Sequence, residues 1–224
     1  MSTPPRPSSA SIDGPEEGRS SRKRRDILDA ATEVFLRAGY LGTSMDEIAA
    51  RAAVSKQTVY KHFADKQRLF TQIVTNTVDQ VSDPVYDEVL HLKDSGDVEA
   101  DLRDLARRQL AAVMQPRLLQ LRRLVIGEAG RFPELGRTFY ERGPGRTIAA
   151  LATAIDRLAA RGGLQLDDPQ LAAQHLNCLI MSAPLNNAMF HGDDELPTAT
   201  ELDRYADAGV STFLAAYRPA VSAR

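Results

Sequence analysis

The chain has 224 residues, 43% of them hydrophobic and 26% charged, with a net charge of −2; this length holds one or two domains, and the balance is that of an ordinary soluble globular protein. A single cysteine, Cys178, excludes an intrachain disulfide, no apolar run is long enough for a bilayer, no secretory segment opens the chain, and the four histidines lack metal-ligand spacing. A cytoplasmic protein with no membrane partner, no metal and no cofactor is the expectation. The charge is uneven: from Arg22 to Arg68 there are ten Lys and Arg against six Asp and Glu, so a basic module sits ahead of an acidic remainder, and the first is the part suited to a polyanion.

Residues 1–21 are rich in Pro, Ser and Gly and read as a disordered arm that ends on the basic run Arg22-Lys23-Arg24-Arg25. From Asp26, Ile27, Leu28, Ala31, Val34, Phe35 and Ala38 recur on one helical face, and Gly39 is placed to end it. Thr43 or Ser44 can cap a short helix bearing Met45, Ile48, Ala49 and Ala52, and Ser44 with Glu47 has capping-box spacing. Ala53-Val54-Ser55 reads as a turn, Ser55 as the cap of a third helix, Lys56–His62, and Asp65 as the cap of a fourth that carries Leu69, Phe70, Ile73, Val74, Val78 and Val81. Further helical stripes follow: Val98 to Val113, a helix entered through Pro116, Ile148 to Ala159 closed by Gly162-Gly163, Asp168-Pro169 through Phe190, and Thr200 to Tyr217. The Pro169–Phe190 segment is apolar almost all round, which marks a buried helix, and Pro184 within it predicts a kink.

The pattern is therefore all-α, with an N-terminal three-helix helix-turn-helix domain at 22–68, a C-terminal helical bundle at 69–218 and a tail at 219–224. A long helix, a short helix, a tight turn and a second short helix make a DNA-binding unit when the last presents small polar and basic side chains to base edges and phosphates. Lys56, Gln57, Thr58, Tyr60, Lys61 and His62 supply those side chains, with Val59 and Phe63 as the anchors; Lys61 reads as a solvated charge. The run Gly42-Thr43-Ser44-Met45-Asp46-Glu47-Ile48-Ala49, then Val54 through Phe63, then Asp65-Lys66-Gln67-Arg68-Leu69-Phe70, resembles the signature of the TetR family of regulators. Ala53 stands where that family commonly has Gly, which strains the turn if the position needs positive φ. The resemblance implies that Gln57 and Thr58 read bases, with Lys56 beside them. It implies that Thr43, Tyr60, His62 and Lys66 touch phosphates, and that Arg22, Lys23, Arg24 and Arg25 add phosphate or minor-groove contacts.

No P-loop, GxSxG or HExxH pattern occurs, and the acidic pairs Asp167-Asp168 and Asp193-Asp194 lie at helix ends, where they read as structural. The chain is not expected to be an enzyme. The stretch Arg122–Phe190 is similar to the C-terminal domain of the AefR-like branch of the family, which implies a ligand pocket among the middle helices and a dimer interface built from the last two. Leu110, Met114, Leu121, Val125, Phe132, Phe139, His175, Cys178, Met181, Leu185 and Met189 are the candidate pocket lining, with core packing as the alternative for each. The functional expectation is a homodimeric repressor that binds a palindromic double-stranded operator and is released by an apolar small-molecule inducer. The alternatives are a regulator of the same fold without an inducer, and a helical interaction module or enzyme with a vestigial DNA head.

Overall fold

The structure is a computed structural model that describes residues 15–90, 92 and 95–219, and every regular element among them is helical. The α-helices run α1 Pro15–Gly42, α2 Met45–Arg51, α3 Lys56–His62, α4 Lys66–Leu90, α5 Val98–Val113, α6 Pro116–Glu128, α7 Pro133–Tyr140, α8 Arg146–Ala160, α9 Pro169–His191 and α10 Ala199–Tyr217. A π-helical turn, Glu141–Gly145, connects α7 to α8. The chain forms two compact units, Met1–Phe70 and Thr71–Arg224, so the division falls within α4. No helix among the described residues is long and apolar enough to cross a membrane.

In the first unit, α1 begins at Pro15, upstream of the expected start at Asp26. Proline suits a first helical turn, having the right φ and no N–H to leave unpaired, and Arg and Lys are strong helix formers. Residues 15–21 and the basic run Arg22–Arg25 are thus helical where the sequence suggested an arm; residues 1–14 of that arm and 220–224 of the tail lie outside the described residues. Gly39 takes φ 70° and ψ 176°, which interrupts the helix where a stop was expected. Ser44 caps α2 by accepting the Glu47 N–H at 3.1 Å. The Glu47 carboxylate pairs with Arg37 instead of returning to the cap, so only half of the expected capping box forms.

Ala53 has φ 52°, in the left-handed region, so the turn between α2 and α3 does place a side chain where glycine is easier. Ser55 then caps α3 by accepting the Thr58 N–H at 3.1 Å. Ile27, Ala31, Val34, Phe35, Ile48, Val59, Leu69 and Phe70 are buried, and the Phe35, Tyr40 and Phe70 rings cluster, with centroids 4.9 Å (Phe35–Phe70) and 5.3 Å (Tyr40–Phe70) apart.

In the second unit the core joins Leu102, Leu105 and Leu110 of α5, Ile148, Leu151 and Ile155 of α8, Leu176 and Ile180 of α9, and Val210 and Phe213 of α10. The expected punctuation recurs: Pro116 opens α6, Asp168 caps α9 by accepting the Leu171 N–H at 3.0 Å, and Gly162 (φ 78°) follows α8. The helix α9 continues through the buried Pro184 and carries no Asp, Glu, Lys or Arg. Its neighbour α10 approaches at Gly209, where an added Cβ would lie 3.0 Å from the Leu179 carbonyl oxygen. The helix α4 passes Pro84 and ends at Leu90, beyond the expected Val81.

Candidate nucleic-acid interface and ligand pocket

The side chains Val59 (0% exposed) and Phe63 (4%) fix α3 to the first unit's core, so the opposite face is turned outward. Lys56, Gln57, Tyr60 and Lys61 are exposed on it, and Thr58 and His62 are half-buried. Tyr60, 44% exposed, is available to an external partner. The Thr58 hydroxyl lies 2.8 Å from Ser55 Oγ. The Lys56 ammonium meets Asp46 of α2 at 2.7 Å, and the hydrogen bond and charge of that carboxylate raise the lysine pKa above its ordinary value. Both side chains are more than half exposed, so this pair is readily exchanged for a phosphate or a base.

Burial pushes the His62 imidazole below its ordinary pKa range, and the charges of Lys61, Arg24 and Lys23 add to this. Two residues of the basic run therefore lie near the end of α3. Arg24 stands 5.1 Å over the Phe63 ring, while Arg22, Lys23 and Arg25 are exposed along α1.

Two expected phosphate contacts are engaged elsewhere. Thr43 is 3% exposed and its hydroxyl donates to the Gly39 carbonyl at 2.7 Å. Lys66 Nζ donates to the carbonyls of Tyr40 and Thr43, each at 2.9 Å, and lies 4.6 Å from the Tyr40 ring centre. An ammonium at the start of α4 opposes that helix's dipole; the carbonyls at the end of α1 offset this. Both side chains brace the α1–α2 corner.

The second unit holds a cavity of about 70 Å³. Val78, Val81, Ser82 and Val85 of α4 form one wall, and Gln109, Val113, Leu118 and Arg122 of α5 and α6 another. Phe139, Gly143, Pro144 and Thr147 line it from the α7–α8 segment, and Asn177, Met181 and Leu185 from α9. Of the expected lining, Phe139, Met181 and Leu185 reach it. Leu110, Met114, Leu121 and Val125 are buried away from the cavity wall. Phe132 and Met189 are half-buried elsewhere. His175 and Cys178 lie on the exposed side of α9, with His175 Nδ1 2.7 Å from the Tyr217 hydroxyl. The helical repeat accounts for His175, which lies well round α9 from 177 and 181; Cys178, one heptad before Leu185, is at the edge of the cavity side and is exposed. The residues that the sequence did not mark are chiefly Ser82, Gln109, Arg122 and Thr147, polar side chains on amphipathic helices whose inward turn no local pattern announces.

Among the described residues Arg122 has no carboxylate partner and its buried Nε no hydrogen-bond partner; its guanidinium lies 5.3 Å from the Phe139 ring centre, and burial pushes its pKa down. The next residue, Arg123, is paired with Asp193 at 2.5 Å and with the Ala188 carbonyl at 2.7 Å. The α4 wall is tied to the π-helical turn and α8 by Arg142, which grips Asp79 at 2.6 and 2.8 Å, and by Arg146, which pairs with Asp83 and lies 4.0 Å over the Tyr86 ring.

A three-helix unit with a capped, outward-facing second short helix defines a helix-turn-helix DNA-binding protein. Residues 27–73 match the model of bacterial regulatory proteins of the tetR family, and residues 100–219 match the C-terminal domain of AefR-like transcriptional repressors. The chain belongs to the TetR family of DNA-binding transcriptional regulators. A TetR-family transcriptional regulator from Mesorhizobium loti MAFF303099 is 46% identical, with a TM-score of 0.82 over 90% of this chain and 99% of that one. The flavonoid-responsive regulator FrrA is 32% identical, with a TM-score of 0.72 over 90% of this chain and all (100%) of FrrA. The transcriptional activator FasR of Mycolicibacterium smegmatis is 44% identical over 59 residues, 26% of this chain. The chain spans 27% of FasR and 31% of YhgD from Bacillus subtilis, so these curated relatives match over less than a third of their length.

Proposed function

We propose that this regulator is a homodimeric repressor that binds a palindromic operator through α3 and is released by a small molecule held in the second unit. The observation that carries the reading is the outward face of α3. Lys56, Gln57 and Tyr60 are exposed there while Val59 and Phe63 are buried, so the helix is anchored on one side and free to enter a major groove on the other. Gln57 pairs with adenine, Thr58 meets a thymine methyl, and Tyr60, His62 and the α1 basic run meet phosphates.

One short helix reads only a few base pairs. Two copies about 34 Å apart read a palindrome. The exposed, uncharged side of α9, with Leu171 at 45%, Leu179 at 41% and Phe190 at 84% exposure, supports an isologous dimer face there. The description of the matched C-terminal model as a repressor domain, and FrrA's response to flavonoids, support ligand-controlled repression. Ligand in the cavity is proposed to push on the α4 wall and favour a state whose heads no longer fit successive grooves.

The test is a fluorescence-polarisation titration against DNA from upstream of the chain's own gene, with scrambled DNA as control. Saturable, sequence-dependent binding at two protomers per site is expected. The double variant Gln57→Ala, Tyr60→Ala should lose this binding while keeping the wild-type Tm; equal binding to both DNAs would remove the reading. The cavity, at about 70 Å³, is smaller than the roughly 300–1,000 Å³ of drug-sized ligand sites, and this favours a second reading, a constitutive regulator of the same fold. A thermal-shift screen separates the two, since a ligand that binds the native state raises its Tm.

A further inference from the structure

We propose that the cavity of the second unit is a site for a small organic monoacid, with its ionised oxygen on Arg122, a hydroxyl donating to Gln109 Oε1, and an apolar body between them. This rests on the ligand-sensing reading above and gives it a chemical class.

The argument starts from what Arg122 lacks. A guanidinium stays charged in a protein, so burial cannot be relieved by loss of the proton. It calls for an anion or carbonyls, which Arg123 has found in Asp193 and the Ala188 carbonyl. Arg122 is half-buried against the Phe139 ring, and its buried Nε has no acceptor among the described residues. Gln109 tells the same story with opposite sign. Its Nε2 donates to Asn177 Oδ1 at 3.3 Å, while its Oε1 is buried with no donor. Both residues line one cavity whose other walls are largely Val, Leu, Phe and Met. Buried polar groups are ordinarily partnered; a buried donor on Arg122 and a buried acceptor on Gln109, both residues of one largely apolar cavity, are complementary to a ligand that carries one anionic oxygen and one hydroxyl.

Charge and size narrow that molecule. Arg122 is the single cation in the lining, so the site matches one carboxylate or ionised phenol, not a phosphoanhydride with several charges. A cavity of about 70 Å³ has room for roughly five waters, which is the scale of one ring.

The test uses the full chain without DNA, so its failure is distinct from failure of operator binding. 4-Hydroxybenzoate, benzoate and methyl 4-hydroxybenzoate are titrated by calorimetry and thermal shift. The acids should bind, with the ester at least roughly tenfold weaker, as for loss of a hydrogen bond to a charged group. 4-Hydroxybenzoate should exceed benzoate, and Gln109→Leu should erase that difference. Arg122→Met keeps the apolar stem and removes the charge; it should raise the Tm of the free protein and abolish the preference for acid over ester. Arg122→Lys should retain the preference. Equal binding of acid and ester, no binding of either acid at millimolar concentration, or a preference that survives Arg122→Met would overturn the proposal. So would a lower Tm in free Arg122→Met, which would make the arginine a structural residue.

Discussion

At the scale of single residues, the first unit separates side chains that hold the corner of the domain from those that face outward. Lys66 belongs to the former, with two carbonyl acceptors at 2.9 Å. Lys66→Met should lower stability by about 1.5–3 kcal/mol in urea unfolding, the range for hydrogen bonds to a charged group. The salt dependence of DNA binding should keep its slope; a slope smaller by about 0.9 would mean that a phosphate contact was lost. His62 gives a pH dependence with two opposite signs. Its pKa in the free protein is lowered, first by burial. Between that lowered value and the ordinary one the unfolded chain binds more protons, so this histidine's contribution to stability is complete above the ordinary range and declines as pH falls through it. A phosphate beside the ring favours the protonated form, so operator affinity should rise from about pH 8 to about pH 6. Polarisation titrations on wild type and His62→Gln should differ in this slope; identical profiles would remove the phosphate contact.

These residues also mark what could be read from the sequence. Ser44, Ser55, Val59 and Phe63 do what their spacing announces, because a cap or an apolar anchor acts within one helical turn. The carbonyl acceptors of Thr43 and Lys66 could not be read there, because they are backbone groups brought to a corner by the fold; the sequence names the donor and hides the acceptor.

At the scale of elements, α9 and α10 meet where Gly209 leaves no side chain between them. A Cβ there would sit 3.0 Å from the Leu179 carbonyl oxygen and 3.2 Å from Ile180 Cγ1. Gly209→Val should force the helices apart and reduce stability by about 1–3 kcal/mol, the range for overpacked interiors, read as a fall in Tm. An unchanged Tm would mean that the pair yields without strain. The all-round apolar character of α9 was legible from composition. The π-helical turn was not: its wider hydrogen-bond repeat leaves no signature in the 3.6-residue apolar period, and Pro144 within it reads as a break. The extension of α4 past Pro84 escaped for the same reason.

At the scale of the whole molecule, α4 contributes Lys66–Phe70 to the first unit and Thr71–Leu90 to the second. Its pocket-side residues alternate with Asp79 and Asp83, which Arg142 and Arg146 hold. Exposed pairs of this kind contribute about 0–1 kcal/mol to stability, so Asp79→Asn should scarcely move the Tm. If the pair transmits the ligand's effect, the variant should bind the acid normally yet show several-fold less change in operator affinity when the acid is added, a share of the roughly 1–3 kcal/mol of a typical allosteric coupling. Unaltered release of DNA would assign transmission to the apolar wall alone.

A cavity of about 70 Å³ also governs time. If the proposed acid enters only when the cavity walls move apart, occupancy waits on that motion. The observed rate of response should level off as ligand concentration rises, at a ceiling equal to the opening rate. The apparent affinity is weakened by the rarity of the open form. On the proposed ligand-sensing role, such a protein would ignore brief pulses of its effector and answer sustained exposure, and substitutions that enlarge the cavity would quicken it without adding a single contact to the ligand.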